Sequence, residues 1–346
     1  MNIDPNTKKN AIYSLFLVII LAGIWWYRDH QNQEDTSHKV EISGRTMGTT
    51  YNVKYFNEDK TDYKAGIDSL LAALNQSLST YIPDSEISRF NEGTILKYES
   101  RFFYPVLKKS HEVYKNTDGA FDPTVGPLVN AWGFGPESGQ IPDSATVDSL
   151  LNFVDFDSLF FDTISICKLK KGIKLDFSAI AKGYGVDVVA DYLKDKGIED
   201  MMVEIGGEVY CHGRNENGKM WKIGIENPNF QEEGDRLLAT VKLDNMALAT
   251  SGNYRNFYEV DGKKYSHTIN PKTGYNVQHS LLSASIFAKN CMTADAYATA
   301  CMVMGFEKSK ALLTEDENLE GYFVYSDEAG NIKTYMTDGI KNFISE

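Results

Sequence analysis

The residue pair whose spacing speaks most directly of chemistry is Asp295 with Thr299, in the stretch Met292-Thr-Ala-Asp-Ala-Tyr-Ala-Thr-Ala300. The pattern predicts a helix from Thr293 to Met304, with Thr293 as an N-cap whose hydroxyl accepts from a free backbone N–H. Positions four apart share a helix face, so the carboxylate and the hydroxyl point the same way. The alanines around them leave room for an approaching group. Two hard oxygens at a helix start suit Mg²⁺, which keeps water and phosphate in its other positions. A plain capped helix with an acid near its positive end uses the same residues, and spacing alone leaves both readings open.

Three other stretches could do chemistry. In Leu175-Asp-Phe-Ser-Ala-Ile-Ala-Lys-Gly-Tyr184 a predicted strand ends near Asp176 and a helix opens within three residues. Such a junction points backbone N–H groups and Lys182 at an anion, or is simply an ordinary cap. In Tyr265-Ser-His-Thr-Ile-Asn-Pro-Lys-Thr-Gly274, His267 follows a strand and precedes a Pro-Gly turn. Histidine is the natural base near neutral pH, although a lone histidine can equally be structural. Gly119-Ala-Phe-Asp-Pro-Thr-Val-Gly-Pro127 and Trp132-Gly-Phe-Gly-Pro136 are dense in Gly, Pro and aromatics. They read as a rigid loop near a flat ligand or as a packed turn. Gly213 to Lys219 imitates a phosphate loop, but Met220 stands where the metal-binding hydroxyl belongs, and the stretch joins two strands.

The elements that must position these groups mix two periods. Alternation over Val40 to Phe56 predicts two strands around a break at Arg45 to Gly48. Helical spacing covers Tyr63 to Leu78, Phe103 to Tyr114 and about Ala179 to Lys196, the last stopped by Gly197. Ile164–Leu169 and Ile173–Phe177 read as strands about Lys171-Gly172. Further strands are expected at Met201–Ile205, Glu208–His212, Trp221–Ile225, Leu237–Leu243, Asn256–Val260, Lys264–His267 and Leu281–Ala288. A last hairpin is expected over Tyr322–Tyr325 and Ile332–Tyr335, and Asp261-Gly262 marks another hairpin turn. The expected class is α+β, mostly antiparallel sheets with packed helices, without βαβ repetition.

A net charge of −13 and the absence of clustered Lys and Arg exclude a nucleic-acid binder. The same acidity predicts little attraction to an anionic bilayer. Cys167, Cys211, Cys291 and Cys301 form no CxxC and no zinc spacing, so buried free thiols are expected. At the start, Ala11 to Tyr27 is a nearly unbroken apolar run, preceded by Lys8 and Lys9 and closed by Trp25, Trp26 and Tyr27. As a helix it is about 25 Å long, at the short end of what spans a bilayer. No small-residue cleavage site follows it, and Ile24 stands where a lipoprotein cysteine would. The expected organisation is a cytoplasmic stub at 1–10, a single-pass inner-membrane anchor at 11–28, a polar linker at 29–39 and one domain at 40–346. The lysines orient that domain to the periplasmic side.

Taken in order, the chemical motifs resemble the ApbE family of FAD:protein FMN transferases. The resemblance runs from about Gly44 to Gly305. It rests on Thr46-Met-Gly-Thr-Thr-Tyr51, Leu78-Ser-Thr-Tyr-Ile-Pro-Asp-Ser-Glu86 with Phe90-Asn91, and Gly119-Ala-Phe-Asp122. Asp176 to Tyr184, Glu204-Ile-Gly-Gly207, Ala249-Thr-Ser-Gly252, His267 to Gly274 and Thr293-Ala-Asp-Ala296 complete it. It implies an ApbE-like domain related to the T-fold, with FAD as substrate held against Met47, Tyr81, Ala120, Phe121, Asp122, Asp176, Lys182 and Ile269. It further implies Mg²⁺ on the backbone oxygen of Ala179 and the side chains of Asp295 and Thr299. Lys182 is a departure, since some relatives carry an acid there, and so is the missing lipoprotein cysteine. The implied reaction passes FMN from FAD to a Thr or Ser hydroxyl of an acceptor flavoprotein, with release of AMP. The acceptor would be a subunit of a membrane redox complex or a periplasmic flavoprotein. His267 is the candidate base, and Asp295 serves catalysis through the metal. An FAD pyrophosphatase and a non-catalytic periplasmic FAD-binding protein are the rival readings.

Overall fold

A computed structural model describes residues 18–23, 38–136, 141–228, 237–253, 257–260 and 263–345. The chain divides into two units, residues 1–40 with 56–61, and residues 41–55 with 62–346. In the first, residues 18–23 are helical and exposed. The anchor expected at 11–28 falls otherwise outside the described residues, among which no helix is long and apolar enough to cross a membrane.

The frame of the second unit is an eight-stranded sheet. It takes β1 (His38–Thr46), β2 (Thr49–Asn57), β6 (Met201–Ile205), β7 (Glu208–His212), β10 (Met246–Gly252), β13 (Leu281–Ala288), β14 (Glu320–Ser326) and β15 (Ile332–Met336) in that spatial order. From β2 to β15 each neighbouring pair is antiparallel. Tyr51, Val53 and Tyr55 alternate inward on β2, and Met201, Val203 and Ile205 on β6, as a half-buried strand requires. Nearly all of β13 is buried, so both of its faces are covered. Two small sheets flank this one. They are β3 (Ile95–Lys97), β5 (Ser165–Lys168) and β4 (Leu159–Phe161), then β8 (Trp221–Glu226), β9 (Leu237–Leu243) and β16 (Ile344–Ser345). The strands β11 (Phe257–Val260) and β12 (Lys263–Ser266) pair with each other, and the turn expected between them lies outside the described residues.

The helices are α1 (Lys64–Leu78), α2 (Glu86–Glu92), α3 (Phe103–Asn116), α4 (Gly126–Ala131), α5 (Ser144–Leu151), α6 (Ala181–Lys194), α7 (Cys291–Met304) and α8 (Phe306–Glu315). α7 lies on β10 and β13, α6 lies on β6 and β7, and the two helices pack together. Burial almost all round α7 explains its run of alanines.

Two expectations fail for physical reasons. Ile173 to Phe177 is no strand; it touches α4's approach through a single parallel bridge, Val125 to Lys174. Its apolar residues are buried, but its backbone groups are met by other means. Asn91 bonds both the carbonyl and the N–H of Leu175, and Asp176 N–H donates to Pro123 O. Conversely β10 carries little β-branched alternation, yet it sits inside the sheet because β7 and β13 pair with it on both sides. The Gly213–Lys219 stretch is a turn between β7 and β8, closed by Asn215 N–H to Lys219 O. All four cysteines are free thiols; Cys167 is half-buried and the others are buried.

Candidate active site

The centre of the site is the seam where α6 meets α7. α7 begins two residues earlier than expected. Asn290, not Thr293, caps it, accepting from Thr293 N–H at 2.9 Å. Asp187, on α6, takes the first two N–H groups of α7, from Cys291 at 2.7 Å and Met292 at 2.8 Å. Burial pushes that carboxyl up to about 7, and the two N–H bonds oppose the shift. One turn back along α6, Gly183 N–H donates to Asp295 Oδ2 at 2.9 Å. Asp295 therefore lies on the second turn of α7, beyond the reach of the helix-terminal field, and its anchor is the neighbouring helix. A Cβ on Gly183 would come within 2.3 Å of Cys291 O, so only glycine permits this approach.

These contacts fix the register. Going forward along α6 from Gly183 to Asp187 goes backward along α7 from Asp295 to Cys291, so the helices are antiparallel. Ala179 lies in the turn just before α6 and Thr299 one turn beyond Asp295 on α7. Both residues are half-buried. A carbonyl, a carboxylate and a hydroxyl are oxygen donors with one negative charge, which fits a small hard cation that keeps water and phosphate as its other ligands. Among the described residues no group of three or more His, Cys, Asp or Glu is placed to hold a metal ion.

Beside Asp295 stands Lys182, its ammonium 3.7 Å from Asp295 Oδ1 and 2.7 Å from Glu208 Oε1. Burial works to lower the Lys182 ammonium, but Asp295 and Glu208 overcome it and the net shift is upward. Burial drives the Glu208 carboxyl up to about 7, with Lys182 pulling against it and Asp295 adding to it. Its second oxygen, Oε2, is buried without a hydrogen-bond partner. The predicted anion of this junction is thus the protein's own: Gly183 N–H and Lys182 both serve internal carboxylates. Lys182 still keeps 29% of its side chain exposed, open to a further anionic group.

Met47 belongs to the same neighbourhood. It occupies the tight turn between β1 and β2 at φ 49°, and its methyl group would lie 3.0 Å from a Cβ on Gly185. Gly206 and Gly207, at φ 60° and 103°, make the β6–β7 turn that delivers Glu208. Glu204 closes that turn by accepting from Gly207 N–H at 2.7 Å.

A second neighbourhood lies at the other end of the Asp176–Gly183 segment. Asp176 accepts from Ser178 N–H at 2.7 Å, and Asp122 accepts from both the N–H and the hydroxyl of Thr124. Burial lifts the Asp122 carboxyl to about 6 against those bonds. Ala120 packs with Val277 and Val303, and Phe121 is fully enclosed, so these two offer a ligand chiefly their main chain. Ile269 packs with Leu128, Trp132 and Val147. The Tyr81 ring is 62% exposed, while its hydroxyl donates to Phe134 O at 3.2 Å. Partial burial of that phenol and the nearby Asp176 charge both shift it upward. The Phe134 ring meets His267 edge-on at 6.4 Å, so one residue of the Trp132–Pro136 loop joins Tyr81 to His267. A separate groove of about 560 Å³ is lined by Trp132, Asn270, Tyr275, Gln278, His279 and Val303 among others. Its lining contains none of Asp176, Lys182, Glu208 or Asp295, so the chemistry does not centre there.

Sequence reasoning missed Glu208, Asp187 and Phe134. The motif Glu204-Ile-Gly-Gly207 ends one residue short of Glu208, and two glycines before an acid were the available signal. Nothing in spacing could pair Asp187 with residues about a hundred positions away.

An antiparallel α+β scaffold whose helix seam gathers two buried carboxylates around one lysine defines the class of protein this is. The chain belongs to the ApbE family, whose model matches residues 47–323. It is 39% identical to the FAD:protein FMN transferase of Vibrio cholerae, over 98% of this chain and 100% of that one. It is 39% identical to the protein of the same name from Haemophilus influenzae, over 84% and 88%. Among solved structures, the flavin transferase ApbE of V. cholerae superposes with a TM-score of 0.81 at 39% identity, covering 89% of this chain and 99% of that one. The apo flavinyl transferase ApbE of Pseudomonas stutzeri gives 0.78 at 34% identity, covering 89% and 97%.

Proposed function

We propose that this protein is an FAD:protein FMN transferase. It passes FMN from FAD to a Thr or Ser hydroxyl of an acceptor flavoprotein and releases AMP. The observation that supports the reading is the α6–α7 seam, where Gly183 N–H anchors Asp295 and Lys182 stands 3.7 Å from its other oxygen.

Each residue then has a task. Ala179, Asp295 and Thr299 would hold Mg²⁺, which would supply positive charge against the pyrophosphate and the departing AMP. Lys182 offers its ammonium to a flavin phosphate. Met47, Tyr81, the main chain of Ala120, Phe121 and Asp122, and the Asp176 and Ile269 loops hold and orient FAD. The acceptor hydroxyl oxygen attacks the FMN phosphorus, the bond from that phosphorus to the bridging oxygen breaks, and AMP leaves with the electron pair. The hydroxyl proton passes to the imidazole of His267. Tyr81, exposed beside the Phe134 loop, marks the open side from which a protein substrate reaches the site.

Residues 11–28 anchor the chain once in the inner membrane, residues 29–39 tether it, and the domain from residue 40 works on the periplasmic side. The apolar run from Ala11 to Tyr27, with lysines before it and aromatics after it, supports this placement.

The test incubates the full chain in detergent with FAD, Mg²⁺ and a candidate acceptor domain, and reads the intact mass of the acceptor. A gain of one FMN, abolished by EDTA or by Asp295→Ala, is the expected result. Free FMN and AMP with every acceptor unchanged would make it a pyrophosphatase. FAD bound but intact would leave only a carrier.

A further inference from the structure

The small sheet β3–β5–β4 has an apolar outer face that nothing in the chain covers among the described residues. Leu96, Ile166 and Leu159 point inward and are buried. The opposite face carries Ile95, Cys167 and Phe160 in one straight row, since Cys167 is the direct partner of both the others. Ile95 is 65% exposed and Phe160 62%; Leu169, continuing from β5, is 69% and Ile164, in the turn before it, 63%. Tyr81 at the candidate active site aside, these are the most exposed large apolar side chains of the second unit among the described residues.

The charge around this face runs against that of the protein as a whole. The chain is net −13, yet residues 163–175 contain four lysines and no acid. Lys168 is internal, bonded to the carbonyls of Asn91 and Ile173, and Lys174 reaches Glu92. Lys170 and Lys171 are exposed at the end of the face beside Leu169, with Lys170 resting on the carbonyl of Asn152. Lys97 is exposed at the other end, two residues along β3 from Ile95 on the same side. Of the acids close by in sequence, Glu92 pairs with Lys174, Glu99 is held by both terminal nitrogens of Arg89, and Asp162 accepts from the N–H groups of Ile164 and Ser165.

We propose that this face rests on an anionic phospholipid surface. Apolar side chains projecting from a short flat sheet can enter the boundary between headgroups and acyl chains, while long lysine stems keep their ammonium groups among the phosphates. A row of bare aliphatic and aromatic side chains, with no groove and cations at both ends, matches that layered chemistry. Net acidity repels such a surface as a whole, but screening confines that repulsion to about 8 Å, so the local lysines decide. The proposal is independent of the flavin chemistry and would survive its failure.

Cys167 makes the test direct, because it sits in the middle of the row and the other three cysteines are buried. The full chain is mixed with excess phosphatidylglycerol or phosphatidylcholine vesicles and treated with a water-soluble maleimide, and labelling at each cysteine is followed by peptide mass spectrometry. Phosphatidylglycerol should slow labelling of Cys167 about fivefold relative to phosphatidylcholine, within the combined affinity gain from Lys97, Lys170 and Lys171 at about fivefold each. The double variant Lys170→Glu/Lys171→Glu should erase the difference. Cys211, Cys291 and Cys301 should stay unlabelled throughout, which reports that the fold is intact. Equal rates with both lipids would overturn the proposal. So would protection that appears only when an acceptor protein is added, which would make the face a protein-binding surface.

Discussion

Gly183→Ala should damage the site more than the fold. The new Cβ would lie 2.3 Å from Cys291 O and 2.7 Å from Asp295 Cβ, and the first of these is helix backbone that cannot rotate away. Against an ordinary carbon–oxygen contact of about 3.3 Å the shortfall is about 1 Å, which α6 and α7 must open between them. That movement would stretch the Gly183–Asp295 bond from 2.9 Å past any useful length. Losing a bond to a charged acceptor costs about 1.5–3 kcal/mol and overpacking about 1–3, while the helix preference of alanine returns about 1. The net loss is about 2–5 kcal/mol, a fall in Tm of roughly 4–10 °C for a domain of this size. A catalytic carboxylate displaced by about 1 Å can cost about a hundredfold in rate. Thermal unfolding and Mg²⁺-dependent AMP release from FAD would be measured beside Gly185→Ala, whose Cβ meets only the flexible tips of Met47 and Ile205, at 3.0 and 3.1 Å. A Gly183→Ala protein with unchanged Tm and turnover would refute the account of the seam.

Lys182→Met leaves Glu208 and Asp295 without their shared cation and should cost about 3–5 kcal/mol. Adding Glu208→Gln should recover most of the stability but not the FAD affinity, read by chemical unfolding and calorimetric titration. Asp122 and Asp187 titrate at about 6 and 7 in the fold, above their ordinary value of about 4. The folded protein therefore binds more protons than the unfolded chain between about pH 4 and 7. Their contribution to stability is complete below that window and lost as pH rises through it. Tm should thus be higher at pH 5.5 than at 7.5, with Asp187→Asn flattening the difference; a rise toward pH 7.5 would contradict it. Tyr81→Phe loses one exposed hydrogen bond and should change stability by less than about 1 kcal/mol. Tyr81→Ala removes a ring available for stacking and should weaken FAD binding about tenfold at unchanged Tm.

The sheet was legible wherever one face is buried. The alternation of Tyr51, Val53 and Tyr55 names a strand without help, whereas β10 is a strand only because its neighbours pair with it. Ile173 to Phe177 misled for the complementary reason: an apolar run shows that a segment is buried, not how its backbone is satisfied, and here Asn91 does that work from 84 positions away. The site divides along the same line. Asp295 with Thr299, and Lys182 after Asp176, are local pairs that spacing brings to notice, while leaving a plain cap and a ligand site both open. Glu208 and Asp187 matter through contacts across 26 and 104 positions, which no local period encodes. Thr293 misled because a hydroxyl before a helical run is a good cap in general, while Asn290 was better placed to serve as one.

Glu208 also answers a difficulty in the site itself. On the proposed reading Asp295 binds the cation, and a lysine beside it is a competitor, since its fixed charge can occupy the oxygen that the cation needs. Lys182 lies 2.7 Å from Glu208 but 3.7 Å from Asp295. At an effective dielectric of 20 the nearer pair is stronger by about 2 kcal/mol, enough to hold the ammonium on the Glu208 side. One Asp295 oxygen accepts from Gly183, and the other would be left to coordinate. Glu208→Gln should remove that pull and let Lys182 swing onto Asp295. The Mg²⁺ concentration for half-maximal AMP release should then rise about tenfold or more, while turnover at saturating Mg²⁺ changes little. A fall in saturated turnover at unchanged Mg²⁺ dependence would mean instead that Glu208 acts on the reacting groups, and that the ammonium was never the competitor.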